Sequence, residues 1–226
     1  MLKDNEIHLW LREVDQDCAD HDGIGEGILS PQELDRAARY RFARDRRLFR
    51  FAHTFLRKTL ASYLDRAPQD LQFSIGSHGR PELIGRELRF NLTHTEGLVG
   101  CVVTHSADCG VDAEAVDRRA DQQLLSARVF TAREQEAFQN AAEDERSLLF
   151  FKTWTLKEAY IKARGLGLAL PLREISFNLS GVEPTGWFGA AVDDVAEQWR
   201  YWSGKASVGH VYGVAVRSPQ AVLLLR

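Results

Sequence analysis

WTLKEAYIKARG, residues 154–165, closes a run from Ser147 to Ala163 that contains neither Pro nor Gly, so it reads as the end of a long helix stopped near Gly165. Leu148, Phe151, Trp154 and Ile161 give that helix an apolar face. Glu158 and Lys162 stand one turn apart, and Trp154 lies one turn earlier on the same side, which predicts a largely buried strip. A buried carboxylate needs a partner. Upstream, Gly110-Val111-Asp112-Ala113-Glu114 reads as a strand whose period of two sends Asp112 and Glu114 to one side and Val111 and Ala113 to the core. Two adjacent like charges repel. Three acids on two rigid elements suit a hard divalent cation, and a lysine beside them suits a phosphate, so the pattern points to phosphoryl-group chemistry. The plain alternatives are a solvated strand end and a surface Glu-Lys pair worth about 0.2–0.5 kcal/mol.

Laid against itself with an offset of 101, the chain repeats its plan. Leu9-Trp10-Leu11 falls on Gly110-Val111-Asp112. Ser30-Pro31-Gln32-Glu33 falls on Thr131-Ala132-Arg133-Glu134, and both read as capping boxes that open helical regions. Leu71–Ile75 and Arg173–Phe177 alternate as strands, and each half closes on another, Leu98–Val103 and Val211–Val216. The expectation is an α/β pseudodimer: two similar subdomains, 1–104 and 105–226, related by a pseudo-twofold axis, with a ligand cleft between them.

Composition narrows the class. With 44% apolar and 27% charged residues and a net charge of −3, the chain reads as a globular protein without overall attraction to nucleic acid or anionic membrane. No run approaches the roughly 20 apolar residues of a membrane span. The N-terminal MLKDNEIHLWLREV lacks the apolar core of a signal peptide. Cys18, Cys101 and Cys109 lack C-x-x-C spacing and are expected to be reduced thiols of a cytoplasmic protein, not zinc ligands.

Cations concentrate in one place: Arg36, Arg39, Arg41, Arg44, Arg46, Arg47, Arg50, Arg57 and Lys58, interleaved with Tyr40, Phe42, Phe49, Phe51 and Phe55. Such a segment can contact a polyphosphate ligand or, as the rival reading, a nucleic acid. Gly79-Arg80-Pro81 reads as a turn, and His94 follows the apolar strand Phe90-Asn91-Leu92 with Thr93 and Thr95 beside it.

WTLKEAYIKARG together with GVDAE, with FNLTH at 90–94 and GRP at 79–81 in the same order, resembles the 4'-phosphopantetheinyl transferases of the surfactin-synthetase-activating type, which are pseudodimers of about this length. The family usually has Lys at the position of Arg80 and often has serines around the histidine. The resemblance implies magnesium-dependent transfer of phosphopantetheine from coenzyme A to a serine of an apo carrier protein of fatty-acid, polyketide or nonribosomal-peptide assembly, leaving adenosine 3',5'-bisphosphate. Asp112, Glu114 and Glu158 would hold Mg²⁺; Glu158 would be the base, with Glu134 as the alternative, although its capping role is the stronger explanation. Lys162 would stabilise the leaving group. Coenzyme A would be met by Arg36, Arg44, Arg80, Pro81, His94, Asp112 and Lys162, with a threonine hydroxyl fixing the His94 tautomer. The enzyme is expected to be a monomer, with no nucleic-acid or membrane partner. The alternatives are a nucleic-acid-binding protein using residues 36–58 and an inactive coenzyme A-binding regulator.

Overall fold

The structure, a computed structural model, describes residues 2–14, 24–76, 79–207 and 209–226, so Cys18, His21 and His78 lie outside the described residues. In chain order the elements are β1 (Glu6–Glu13), α1 (Pro31–Ala38), α2 (Ala43–Ala61), β2 (Phe73–Ile75), β3 (Pro81–Leu83), β4 (Arg89–Thr95), β5 (Leu98–Thr104) and β6 (Cys109–Ala115). There follow α3 (Gln122–Val129), α4 (Ala132–Asn140), α5 (Glu143–Arg164), β7 (Ile175–Asn178), β8 (Thr185–Phe188), β9 (Arg200–Ser207), β10 (His210–Val216) and β11 (Val222–Leu225).

Strand alternation sorts the core into layers. Ile7, Leu9, Leu98 and Val102 point from the sheet β11-β1-β5-β4 toward Val111, Ala113, Val214 and Val216 of the sheet β6-β10-β9, so the two sheets share one apolar layer. The opposite face of the first sheet, with Phe90, Cys101 and Val103, is covered by Leu56 and Leu60 of α2. The opposite face of the second is covered by α5, through Leu156, Ala159, Tyr160 and Ala163 on one flank and Phe150 and Phe151 on the other. The order of layers is helix, sheet, sheet, helix, which bears out the α/β expectation. At one margin the edge strands β4 and β6 lie against each other, and the Val111 N–H donates to Asn91 Oδ1 across the seam at 3.0 Å.

Both capping boxes form. Ser30 and Thr131 each accept from the amide three residues on, while Glu33 and Glu134 return to the cap backbone. Each glutamate then takes a second, long-range partner. Glu33 pairs with buried Arg57 of α2 at 2.8 Å, and Glu134 with buried Lys157 of α5 at 2.8 Å. Arg57 also donates to Leu71 O at 3.0 Å, and Lys157 donates to Leu172 O at 2.9 Å, so the same clamp recurs at nearly the same offset. The final strand departs from the repeat: β11 pairs in parallel with β1, Glu6 opposite Val222, and so returns to the first sheet.

Candidate active site

Two glycines set the distance between α5 and its sheet. A Cβ at Gly110 would stand 2.0 Å from Ala159 O, and one at Gly213 would stand 2.6 Å from Thr155 C. With no side chain at either place, the helix backbone rests directly on β6 and β10, and Gly110, Asp112 and Glu114 all face it. Gly165 ends the helix in the left-handed region, φ +64°, and its amide closes on Ile161 O.

The helix is buried on most of its circumference, and Trp154, Glu158 and Lys162 form the half-open strip. Trp154 is partly buried, stacked on the Phe150 ring at 6.1 Å against the core, and burial is the main influence on the Glu158 carboxyl, in keeping with the predicted strip. From Phe150 onward the residues packed on the cores flank that strip, with Lys152 and Arg164 also partly open, while the first turn, Glu143–Glu145, is exposed. Asp112 Oδ1 accepts from Lys162 Nζ at 2.6 Å and from the Thr93 hydroxyl at 3.2 Å. Lys162 completes its set with Thr93 Oγ1 at 3.3 Å and Val111 O at 3.1 Å, so its three donors are all in use. Glu114 is paired with Arg118, which follows four residues on in the turn after β6. Glu158 makes no hydrogen bond or close ion pair among the described residues. Burial and then Asp112 push the Glu114 carboxyl up to about 7, against the pull of Arg118 and Lys162. The same two causes raise Glu158, with Lys162 opposing.

Among the described residues no three acid, histidine or cysteine side chains converge in metal-ligating geometry. The reason is visible: Asp112 is turned onto Lys162 and Glu114 onto Arg118. The donor set nevertheless fits a hard divalent cation. Asp112 Oδ2 is buried without a hydrogen-bond partner among the described residues, and Asp112 is close enough to Glu114 on β6 and Glu158 on α5 to raise both carboxyls. Asp112, Glu114 and Glu158 are the residues that would hold it.

Across the seam, β4 contributes Asn91 and Thr93 on one face. Thr93, one of the two threonines expected to fix the His94 tautomer, serves Asp112 and Lys162 instead. His94 remains open to solvent, yet the protein around it and then His53, Lys162 and Arg36 push its pKa down to about 4, so it is neutral at pH 7. Beside these groups lies a concavity of about 590 Å³ whose lining includes Arg36, His53, Gln72, Phe73, Pro81 and Ile84. That volume is in the range that takes a small-molecule ligand. Arg36 stands over the Phe49 ring at 5.4 Å.

Two expected coenzyme A contacts sit elsewhere. Arg44 is exposed, paired with Asp45 at 3.6 Å and stacked beside Phe42, and does not line the concavity. Arg80 turns inward and donates to main-chain carbonyls. Glu134, the alternative base, is fully engaged: the Thr131 and Phe177 amides and Lys157 hold its two oxygens at 2.8–2.9 Å, so its role is structural. Sequence reasoning missed His53, Asn91 and Arg118. For Asn91 a signal existed, since it shares a strand face with Thr93, and for Arg118 the four-residue spacing from Glu114 was one; for His53 only the tertiary fold supplies the neighbour. The cationic segment does not form one nucleic-acid-binding face either: Arg57 is buried, and Arg46 donates to the carbonyls of Tyr40 and Arg41 at 2.9 and 3.4 Å.

The profile of the 4'-phosphopantetheinyl transferase superfamily matches residues 108–216. The 4'-phosphopantetheinyl transferase HetI of Nostoc sp. is 36% identical over 187 residues, which cover 81% of this chain and 78% of that protein. A putative 4'-phosphopantetheinyl transferase of Synechocystis sp., slr0495, is 34% identical over 155 residues, 66% of this chain and 62% of that one. The 4'-phosphopantetheinyl transferase gsp of Aneurinibacillus migulanus is 25% identical over 144 residues, 64% of this chain and 59% of that one. The seam of acids, lysine and histidine thus lies in a chain that belongs to the 4'-phosphopantetheinyl transferase superfamily. None of these comparisons supports the nucleic-acid-binding alternative.

Proposed function

We propose that this protein transfers the 4'-phosphopantetheine group of coenzyme A to a serine hydroxyl of an apo carrier protein, giving the holo carrier and adenosine 3',5'-bisphosphate. The observation that carries the reading is the seam itself, where Asp112, Glu114 and Glu158 gather around Lys162, and Lys162 in turn neighbours His94, beside His53 and Arg36 of the concavity. In the reaction the serine oxygen bonds to the phosphorus next to pantetheine. The bond from that phosphorus to the bridging oxygen breaks, and its electron pair leaves on adenosine 3',5'-bisphosphate. Glu158, half-open and unpaired among the described residues, takes the serine proton. Lys162 sits where it can neutralise charge on the departing oxygen once Asp112 releases it. Arg36 and His94 bind the nucleotide end. Mg²⁺, when bound by the three acids, supplies alignment and charge neutralisation of the diphosphate.

In this reading residues 1–104 carry the nucleotide side and 105–226 the metal side, with β11 crossing back to brace the first. The enzyme works as a cytoplasmic monomer, a reading in keeping with Cys101 and Cys109, which are buried free thiols. The test is incubation with coenzyme A, Mg²⁺ and a panel of apo carriers, followed by intact mass measurement. The expected result is a phosphopantetheine adduct on at least one carrier with equimolar adenosine 3',5'-bisphosphate; no adduct on any carrier overturns it.

A further inference from the structure

Arg80 is placed unlike a ligand-binding arginine. Its Nη1 donates to Lys162 O at 3.1 Å and Ala163 O at 2.7 Å, in the last turn of α5. Its Nη2 donates to Phe90 O of β4 at 3.4 Å and Cys109 O of β6 at 3.2 Å. The four terminal N–H groups of the guanidinium thus meet four carbonyls from three elements. The remaining donor, Nε, is buried and has no hydrogen-bond partner among the described residues. Neither Nη1 nor Nη2 has a donor left for a phosphate, and Nε is closed off from one.

Each of the four carbonyls matters to the seam. Lys162 O and Ala163 O belong to the last turn of a helix, where carbonyls are short of donors and the dipole favours a cation; Lys162 O also accepts from the Gly165 amide at 3.2 Å. Phe90 O and Cys109 O lie on the edge strands that meet there, one residue from Asn91 and two from Val111, the pair that bridges the sheets. The arginine stem passes the helix stop at ordinary contact distance: a Cβ at Gly165 would lie 3.7 Å from Arg80 Cδ. One planar fork therefore ties the end of α5 to both sheets at the level of Lys162 and Asp112.

We infer that Arg80 is a positioning residue, which fixes Lys162 against Asp112 by clamping the end of α5 to the seam, and that it is not a phosphate contact. A lysine at this place, with a single nitrogen and three donors, cannot span the same carbonyls. The inference rests on the proposed transfer reaction for its kinetic readout, and on coenzyme A binding independently of it.

The experiment compares wild type, Arg80→Lys and Arg80→Ala with coenzyme A and dephospho-coenzyme A, measuring kcat and KM in transfer and affinity by calorimetry. The expected result is a kcat reduced at least about tenfold in both variants, as misplacement of a reacting group produces. KM and affinity for coenzyme A should stay within about twofold, and its preference over dephospho-coenzyme A should be unchanged. In a Lys162→Ala background, Arg80→Lys should cost little more, because the residue it places is gone. A large rise in KM with kcat retained, or loss of the preference for the 3'-phosphate, overturns the inference, as does full additivity with Lys162→Ala. If wild type transfers nothing, the reaction proposal fails while the calorimetric comparison still decides for or against phosphate contact. Should the variants fold poorly, the wild-type protein crystallised with coenzyme A answers the question: Arg80 on its carbonyls supports the clamp, and a ligand phosphate oxygen within about 3.2 Å of Nη1 or Nη2 overturns it.

Discussion

Asp112 and Glu114 stand on one strand face, and in this structure each has an organic counter-ion: Lys162 for the first, Arg118 for the second. The consequences differ because the two cations are held differently. Lys162 is tied by three hydrogen bonds, whereas the Arg118 side chain is half-exposed and free to leave. Arg118→Ala is expected to tighten Mn²⁺ binding, followed by calorimetry or electron paramagnetic resonance. An exposed pair contributes up to about 1 kcal/mol, so the gain should be about two- to fivefold. Weaker or unchanged binding would show that the guanidinium does not compete. Asp112→Ala should lower transfer by at least about a hundredfold while the far-ultraviolet circular dichroism is kept, since the strand loses a polar side chain and no core residue. Wild-type turnover by that variant would contradict the metal assignment. At this scale the identity of the acids and of Lys162 was legible, because D-x-E on a strand and E-x-x-x-K on a helix define faces by local periodicity. Arg118 as the counter-ion of Glu114 had only its four-residue spacing to suggest it, and Thr93 as a ligand of Lys162 had no local sign.

The helices tell a similar story at larger size. Both capping boxes were readable because a cap and its glutamate are three residues apart. Their buried cations, Arg57 and Lys157, lie more than twenty positions away and emerge only when α1 packs on α2 and α4 on α5. Ser30→Ala removes one cap and should cost about 1 kcal/mol, a fall in Tm of about 2–4 °C in a thermal melt. Lys157→Met leaves Glu134 buried without its cation and should cost about 3–5 kcal/mol, several times the loss for Ser30→Ala. Equal shifts for the two would mean the buried pair adds nothing. Glu33 gives a pH signature. Burial alone would raise its carboxyl, but His53, the Ser30 amide and Arg57 outweigh that and hold it down at about 2. A carboxylate lowered on folding stabilises the fold fully above its ordinary pKa of 4.5, and that stabilisation drains away as pH falls toward about 2. Glu33→Gln should therefore flatten the decline in Tm between those limits; an unchanged slope would remove Glu33 from the account.

For the whole molecule, the decisive feature is the seam where β4 meets β6, with α5 laid over it on Gly110 and Gly213. The C-terminal strand adds a brace, since β11 covers the outer edge of β1 and Arg226 N–H donates to Leu9 O at 3.0 Å. Ending the chain after Ser218 should lower Tm and promote self-association in sedimentation, because an unpaired strand edge becomes available to another copy. An unaltered melt and a monodisperse species would show that the brace is dispensable.

Much of this protein was written locally. The α/β alternation, the two capping boxes, the helix stop at Gly165 and the acids with their lysine all follow from side-chain period and short-range hydrogen bonding. The repeat at an offset of 101 indicated that the pattern is used twice. What followed from folding alone was which distant groups share a neighbour. Arg80 reads as a phosphate contact in a turn but donates to the carbonyls of residues more than eighty positions away, and Arg44 sits on an outer surface. Periodicity states which side of its own element a residue occupies. The surface that faces that side is set by how helix and sheet layers stack, and no local interaction encodes it.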